Sequence, residues 1–380
     1  MIKNGLALYI HLPFCPKKCY YCDFNSYSRK EELMGSYIKA LSTEMYLYSF
    51  KLQERKIKSI YIGGGTPTYL GIKHLETLLD SIRQVFYICE GAEITIEANP
   101  GTLSLKLLKF LYEKGVNRLS IGLQACDANI LKQLGRIHTF EQFENNFNWA
   151  RTAGFNNINV DLMIGLPGQT LENVSKCVCK VINLKPEHIS VYSLKIEEST
   201  RFYEMYKAGQ LILPGEDEER LFYHTTVNFL IQNGYKHYEI SNFALPGYAC
   251  CHNLIYWENK EYLGLGAGAH SYIDGKRFYN TETPEKYIEL LNKKNLPVEE
   301  YESINLPTEM AETMFMGLRL VQGVSRKKFF DRFGKTLDEV YGAEIKKLVS
   351  LGLLIDDGKR IRLSTRGLDL ANEVFMEFLP

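Results

Sequence analysis

Residues 9–27, YIHLPFCPKKCYYCDFNSY, set Cys15, Cys19 and Cys22 in a C-x3-C-x2-C spacing directly after an apolar run from Leu6 to His11. Three thiolates on one short loop fall one short of the tetrahedral four-ligand set that structural zinc takes. They suffice for three irons of a cubane 4Fe-4S cluster and leave the fourth iron open, whereas clusters that only carry electrons mostly take four cysteines. An open iron is wanted where a small molecule must chelate the metal.

Outward from this loop, short apolar runs alternate with longer amphipathic stretches. The runs predict strands at Ala7–His11, Ser59–Gly63, Glu93–Glu97, Arg118–Gly122, Asn157–Met163 and His188–Leu194. Helices are predicted between them at Leu33–Phe50, Ile72–Phe86, Ser104–Lys114, Phe140–Thr152 and Leu171–Leu184, with Gly115 and Gly154 at two of the stops. Repeated strand–helix units demand parallel strands joined by right-handed crossovers. Six units are too few to close an eight-fold barrel, so an α/β fold is expected: a partial six-stranded (β/α)6 barrel with its site at the C-terminal strand ends. The polar features collect at those ends. Gly63-Gly64-Gly65-Thr66-Pro67-Thr68 follows the second strand, Glu97-Ala98-Asn99-Pro100-Gly101 the third, Gln124 the fourth, and Asp161 lies late in the fifth. The glycine run lets backbone approach a ligand closely; it lacks the following Lys of a phosphate loop.

The cysteine spacing together with this glycine motif resembles the radical S-adenosylmethionine (SAM) superfamily, and GGGTPT resembles its HemN-like family, which holds the oxygen-independent coproporphyrinogen III oxidases and the HemW group of haem chaperones. The resemblance implies the same open barrel, with SAM on the open iron. It implies SAM contacts from Tyr9, Tyr21, Gly65, Thr66, Pro67, Glu97, Gln124, Arg136 and Asp161. Taken singly, each of these also reads as a cap, a turn or a surface charge. His11, on an apolar strand, reads as a hydrogen-bonded core residue. The coproporphyrinogen oxidases carry a further cysteine two residues after the third, where this chain has Phe24. That departure counts against oxidative decarboxylation and points to the HemW group, so no catalytic residue is assigned.

A second segment, Cys250-Cys251-His252-Asn253-Leu254-Ile255-Tyr256-Trp257, contains H-N-x-x-Y-W. His252 could offer imidazole to iron, Cys250 or Cys251 thiolate, and Tyr256 and Trp257 flat area for a porphyrin. A packed loop with a satisfied histidine would show the same pattern. The resemblance implies haem contact by His252, Asn253, Tyr256 and Trp257. It also implies transfer of that haem to acceptor haemoproteins such as membrane respiratory enzymes.

Beyond Pro297 a run of helices and a two-stranded wing (Leu353–Asp356, Arg360–Ser364) predict a small winged-helix-like α+β domain. Three domains are therefore expected: the barrel over 1–200, an extension with the H-N-x-x-Y-W segment over 201–300, and the winged module over 301–380. That module counts 12 Lys/Arg against 12 Asp/Glu from Tyr301 to Pro380, and the whole chain 45 against 45. Nucleic-acid binding wants a basic face, so none is expected. No apolar run reaches the roughly eighteen residues of a membrane span. An odd count of nine cysteines, with the cluster loop close to Met1, predicts a reducing cytoplasm, membrane contact only through partners, and a homodimer by default. Cys126 shows no partner pattern, and Cys177 and Cys179 point to different helix faces.

Overall fold

The computed structural model describes residues 5–52 and 55–379. Its first half is β1 (Leu6–Leu12), α1 (Met34–Ser49), β2 (Lys56–Gly64), α2 (Gly71–Val85), β3 (Tyr87–Ala98), α3 (Leu105–Glu113), β4 (Arg118–Gln124), α4 (Ala128–Gln133), α5 (Phe140–Ala153), β5 (Ile158–Ile164), α6 (Leu171–Asn183) and β6 (His188–Ser193). Local chemistry sets the helix ends. Thr139 and Thr170 open α5 and α6 with capping boxes, and Gly154 closes α5 at φ +107°. Strands β1 to β6 pair in sequence order, all parallel, and β6 does not return to β1 among the described residues. The result is the open, partial barrel expected.

Alternation along each strand divides two environments. Ile60 and Ile62 on β2, Ile94 and Ile96 on β3, and Leu119 and Ile121 on β4 are buried in the main apolar core. Their neighbours Ser59, Tyr61, Glu93, Glu97, Arg118, Ser120, Asn159 and Asp161 form a polar interior, linked by hydrogen bonds such as Tyr61 to Glu97 (2.8 Å), Asn159 to Asp161 (2.7 Å) and Asn159 to Ser120 (2.8 Å).

The chain continues through α7 (Arg201–Lys207), α8 (Glu216–Gln232), β7 (Lys236–Glu239), β8 (Asn242–Ala244), α9 (Cys251–Trp257), β9 (Tyr262–Leu265), β10 (His270–Ile273), β11 (Lys276–Asn280), α10 (Pro284–Asn292) and β12 (Val298–Ser303). These strands extend both edges, giving a twelve-stranded mixed sheet in the order β12-β11-β10-β9-β1-β2-β3-β4-β5-β6-β8-β7. Strands β7, β8 and β12, of four, three and six residues, carry too little apolar alternation to be legible in sequence. The β9–β11 side is tied to α1 by one buried carboxylate. Glu44 accepts from Gly266 N–H (2.8 Å), Asn280 Nδ2 (2.6 Å) and Tyr287 OH (2.5 Å).

The last stretch is α11 (Leu306–Gly317), β13 (Val324–Ser325), α12 (Arg326–Phe333), α13 (Leu337–Ser350), β14 (Leu354–Asp356), β15 (Arg360–Leu363), α14 (Thr365–Asp369) and α15 (Ala371–Met376). It encloses its own apolar cluster, including Met314, Leu318, Phe329, Leu348, Ile361 and Phe378. The helices and the β13-β15-β14 wing reproduce the winged-helix-like arrangement. One cysteine reading is corrected: Cys126, after β4, is disulfide-bonded to Cys177 on α6, with Cα atoms 5.2 Å apart. A separation of 51 residues hid the pair from local spacing.

Candidate cofactor site at the strand ends

The loop after β1 is folded back on itself. Cys15 N–H donates to Tyr27 O (2.9 Å), Tyr27 N–H to Pro13 O (2.7 Å) and Cys22 N–H to Cys19 O (3.3 Å). Cys15, Cys19 and Cys22 thereby line one cavity of about 390 Å3, shared with residues at the C-terminal ends of β2 to β6. Among the described residues no three His, Cys, Asp or Glu side chains converge as they would on a single metal ion. Three thiols spread round one cavity are instead the arrangement a cluster needs, because each thiolate takes its own iron. Burial pushes the Cys22 thiol up to about 11 and raises that of Cys15. Both stay protonated at neutral pH until a metal displaces the proton.

The glycine run faces the same cavity. Gly64 stands at φ +112°, and a Cβ on Gly65 would lie 2.6 Å from Phe14 O. Glu97 reaches across from β3 and accepts from Gly64 N–H (3.1 Å) and Tyr61 OH (2.8 Å). Burial lifts its carboxyl to about 7. Asp161, also raised by burial, accepts from Ser120 Oγ (3.1 Å) and Asn159 Nδ2 (2.7 Å). Gln124 ends β4 at φ +69°, just past a register shift. Such a conformation costs a non-glycine residue energy and marks sites where a side chain is being aimed. Arg136 donates to Asn99 Oδ1 (2.7 Å), to Gly122 O and to Cys19 Sγ (3.6 Å), while its Nε is buried with no acceptor among the described residues. The cavity thus offers thiols at one wall, two half-buried carboxyls, and an arginine held in place by Asn99 and Gly122.

Tyr21, Gly65, Glu97, Gln124, Arg136 and Asp161 line this cavity. Tyr9, Thr66 and Pro67 do not. Tyr9 bonds His11 Nδ1 (2.9 Å) and stacks on Tyr61. The Thr66 hydroxyl accepts from Asn99 Nδ2 (2.8 Å) and lies 3.5 Å from Cys15 Sγ. Pro67 is buried at the start of a 3-10 turn. Sequence reading passed over Tyr61, Asn99, Tyr192 and Lys195, which also line the cavity. Asn99 was within reach, since it stands two residues past Glu97 beside the same site.

The H-N-x-x-Y-W segment lies elsewhere. Its residues form α9, whose first turn is held beneath the barrel by Glu93, which accepts from Cys251 N–H (3.1 Å) and His252 N–H (3.2 Å). His252 is 1% exposed. Its Nδ1 is bonded to Ser59 Oγ (3.0 Å) and its Nε2 to Tyr256 OH (3.0 Å), and its ring rests 5.2 Å from that of Tyr61. Burial, then the Arg118 charge, drive its pKa down to about 3. In this arrangement His252 presents no free nitrogen to iron. Cys250 is also buried, its Sγ 3.3 Å from Glu93 Oε1, whereas Cys251 is exposed. Trp257 lines a different and larger cavity.

The Radical SAM superfamily model matches residues 9–178, and the HemN C-terminal domain model matches residues 304–370. The protein named heme chaperone HemW of Bacillus subtilis is 41% identical over 374 residues, covering 98% of this chain and 99% of that one. The HemW of Lactococcus lactis is 39% identical, covering 100% and 98%. The chain belongs to the HemW family. The solved coproporphyrinogen III oxidase HemN of Escherichia coli is 25% identical with a TM-score of 0.87, covering 100% of this chain and 91% of that one. Membership of the radical SAM superfamily implies a 4Fe-4S cluster and SAM. The three thiols, the close-fitting Gly65 and the unsatisfied Arg136 of this HemW-family chain fit both. Phe24, where the resemblance to the oxidases calls for a cysteine, is 62% exposed beside the cysteines.

Proposed function

We propose that this chain is a haem chaperone that holds a 4Fe-4S cluster and SAM, binds haem, and passes it to acceptor haemoproteins such as respiratory enzymes. The observation that carries the reading is its near full-length identity to proteins named heme chaperone HemW. Cys15, Cys19 and Cys22 would hold the cluster, and Tyr21, Gly65, Glu97, Gln124, Arg136 and Asp161 would line the SAM site. Bound, the cluster supplies a reducible metal centre with one iron open to chelation. The chain's own part is positional. Arg136, pinned by Asn99, lies beside the Cys19 sulfur and suits a carboxylate. Glu97 and Asp161, held by inward-facing hydroxyls and amides, suit amino and hydroxyl groups. Partial burial around the thiols limits the water that reaches them. The protein would work in the cytoplasm, as a homodimer, and meet membrane enzymes through those partners. Among the described residues no helix is long and apolar enough to cross a membrane.

The second reading, coproporphyrinogen oxidation, is favoured by the fold shared with HemN and opposed by Phe24. Anaerobic reconstitution followed by reductant, SAM and either haem or coproporphyrinogen separates them. Stoichiometric haem uptake and delivery to an apo-haemoprotein, with no decarboxylated product, is expected. Vinyl-bearing product with tetrapyrrole-dependent 5′-deoxyadenosine would overturn the chaperone reading.

A further inference from the structure

We propose that His188 and Tyr238 are positioning residues for the SAM site, aiming the Asp161 carboxylate through a line of hydrogen bonds that begins at the backbone of Cys250. The inference rests on the reading that SAM occupies the strand-end cavity. It adds two residues that lie off the lining of that cavity.

The donors can be assigned outward from Asp161, because an ionised carboxylate only accepts. Its two oxygens take Asn159 Nδ2 (2.7 Å) and Ser120 Oγ (3.1 Å). The other hydrogen of the same amide goes to Ser120 Oγ (2.8 Å), so both Nδ2 hydrogens are used on the Asp161 side. Asn159 is thereby fixed with Oδ1 facing away from Asp161, where it meets Ser190 Oγ (3.1 Å) and His188 Nδ1 (2.6 Å). Two donors fill the two lone pairs of that oxygen, so His188 carries its hydrogen on Nδ1.

His188 is 0% exposed. Burial, then the Arg118 charge, push its pKa well below the usual histidine value. The ring is therefore neutral, and Nε2 is left as an acceptor. Tyr238 OH, 2.8 Å from Nε2, donates to it. The same oxygen accepts from Cys250 N–H at 3.4 Å, the longest link of the line.

Every donor along Cys250, Tyr238, His188, Asn159 and Asp161 thus points toward the cavity. Hydrogen bonds aligned in this way polarise one another. Ser120, Asn159 and Ser190 are each 2% exposed, so water does not compete for these groups. Turning one member strands a buried donor or acceptor, which fixes the direction in which Asp161 faces a ligand. Cys250 opens α9, and the next two N–H groups go to Glu93. A ligand donor on Asp161 draws on the line and firms the start of α9. By linkage, cutting the line at its far end weakens the ligand.

The test is Tyr238→Phe, which removes the hydroxyl and keeps the ring. Tyr235→Phe is the matched control, since it loses one hydrogen bond, to Pro186 O (2.6 Å), outside the line. Each is made in the full chain with its cluster reconstituted. SAM binding is read by calorimetry and amide exchange by mass spectrometry. Tyr238→Phe is expected to weaken SAM about fivefold at full iron loading, while Tyr235→Phe leaves it unchanged. SAM should slow exchange in the peptide carrying Cys250 to His252 of the wild type, and that slowing should vanish in Tyr238→Phe. Unchanged SAM affinity in Tyr238→Phe, equal weakening in both variants, or no slowing in the wild type would overturn the line and leave the SAM reading standing. If SAM does not bind the loaded wild type, the line and that reading fall together.

Discussion

Gly65 has no room for a side chain. A Cβ there would lie 2.6 Å from Phe14 O, next to the first cluster cysteine. Gly65→Ala must therefore displace the loop, and the expected outcome is sub-stoichiometric iron after reconstitution together with loss of SAM binding. Iron and sulfide assays check it, and a fully loaded variant with unchanged SAM affinity would refute the cradle. Glu44 makes a prediction about pH. Burial, against its hydrogen bonds to Tyr287, Gly266 and Asn280, raises its carboxyl from an ordinary 4.5 to about 7. A folded-state pKa above the unfolded one gives stability that is complete below about pH 4.5 and is lost as pH rises through 7. The loss is roughly 3 kcal/mol on the linkage of one pKa unit to 1.36 kcal/mol. Denaturant titrations at about pH 6 and pH 8 should show the wild type weakening, and Glu44→Gln should flatten that dependence.

At the scale of elements, α9 shows how one short helix serves two places. Its first turn is anchored by Glu93, and His252 fills the space between Ser59, Tyr61 and Tyr256. Tyr61 in turn donates to Glu97 at the strand-end cavity. His252→Ala leaves two hydroxyls short of a partner and a void under Tyr61, and should destabilise the fold by about 2–4 kcal/mol. It should also weaken SAM binding, measured by calorimetry, because Glu97 loses a fixed partner. The Soret band of bound haem should keep its position in this variant; a shift to a different ligation spectrum would make His252 an iron ligand after all. The H-N-x-x-Y-W pattern was legible in sequence, but spacing alone left both a satisfied core histidine and an iron ligand open. In the structure Ser59 and Tyr256 take both ring nitrogens.

At the scale of the whole molecule, the C-terminal module meets the barrel extension along the seam. Arg332 from α12 spans it, bonding Glu309 (2.6 Å) and the carbonyls of Glu258 (3.3 Å) and Asn259 (2.9 Å). The backbone adds Ile240 N–H to Arg319 O and Val321 N–H to Tyr238 O, both 3.1 Å. Because the module has its own apolar cluster, Arg332→Ala should loosen its docking without melting it. Faster limited proteolysis between α11 and α12, with unchanged far-UV circular dichroism, is the expected result; unchanged cleavage would show that the backbone contacts suffice.

The chain's order of residues was enough to specify the parallel strand–helix alternation, the cysteine loop, and the gathering of Glu97, Gln124 and Asp161 at the strand ends. These are local patterns, with periods of two and of 3.6 and short spacings that need no distant partner. Tertiary structure alone decided what depends on residues far apart meeting. It joined Cys126 to Cys177, extended the sheet to twelve strands, left Tyr9, Thr66 and Pro67 off the lining of the strand-end cavity, and closed His252 beneath the barrel. Burial and hydrogen-bond pairing are properties of neighbours in space, and a side chain's chemistry follows from those neighbours as much as from its own atoms.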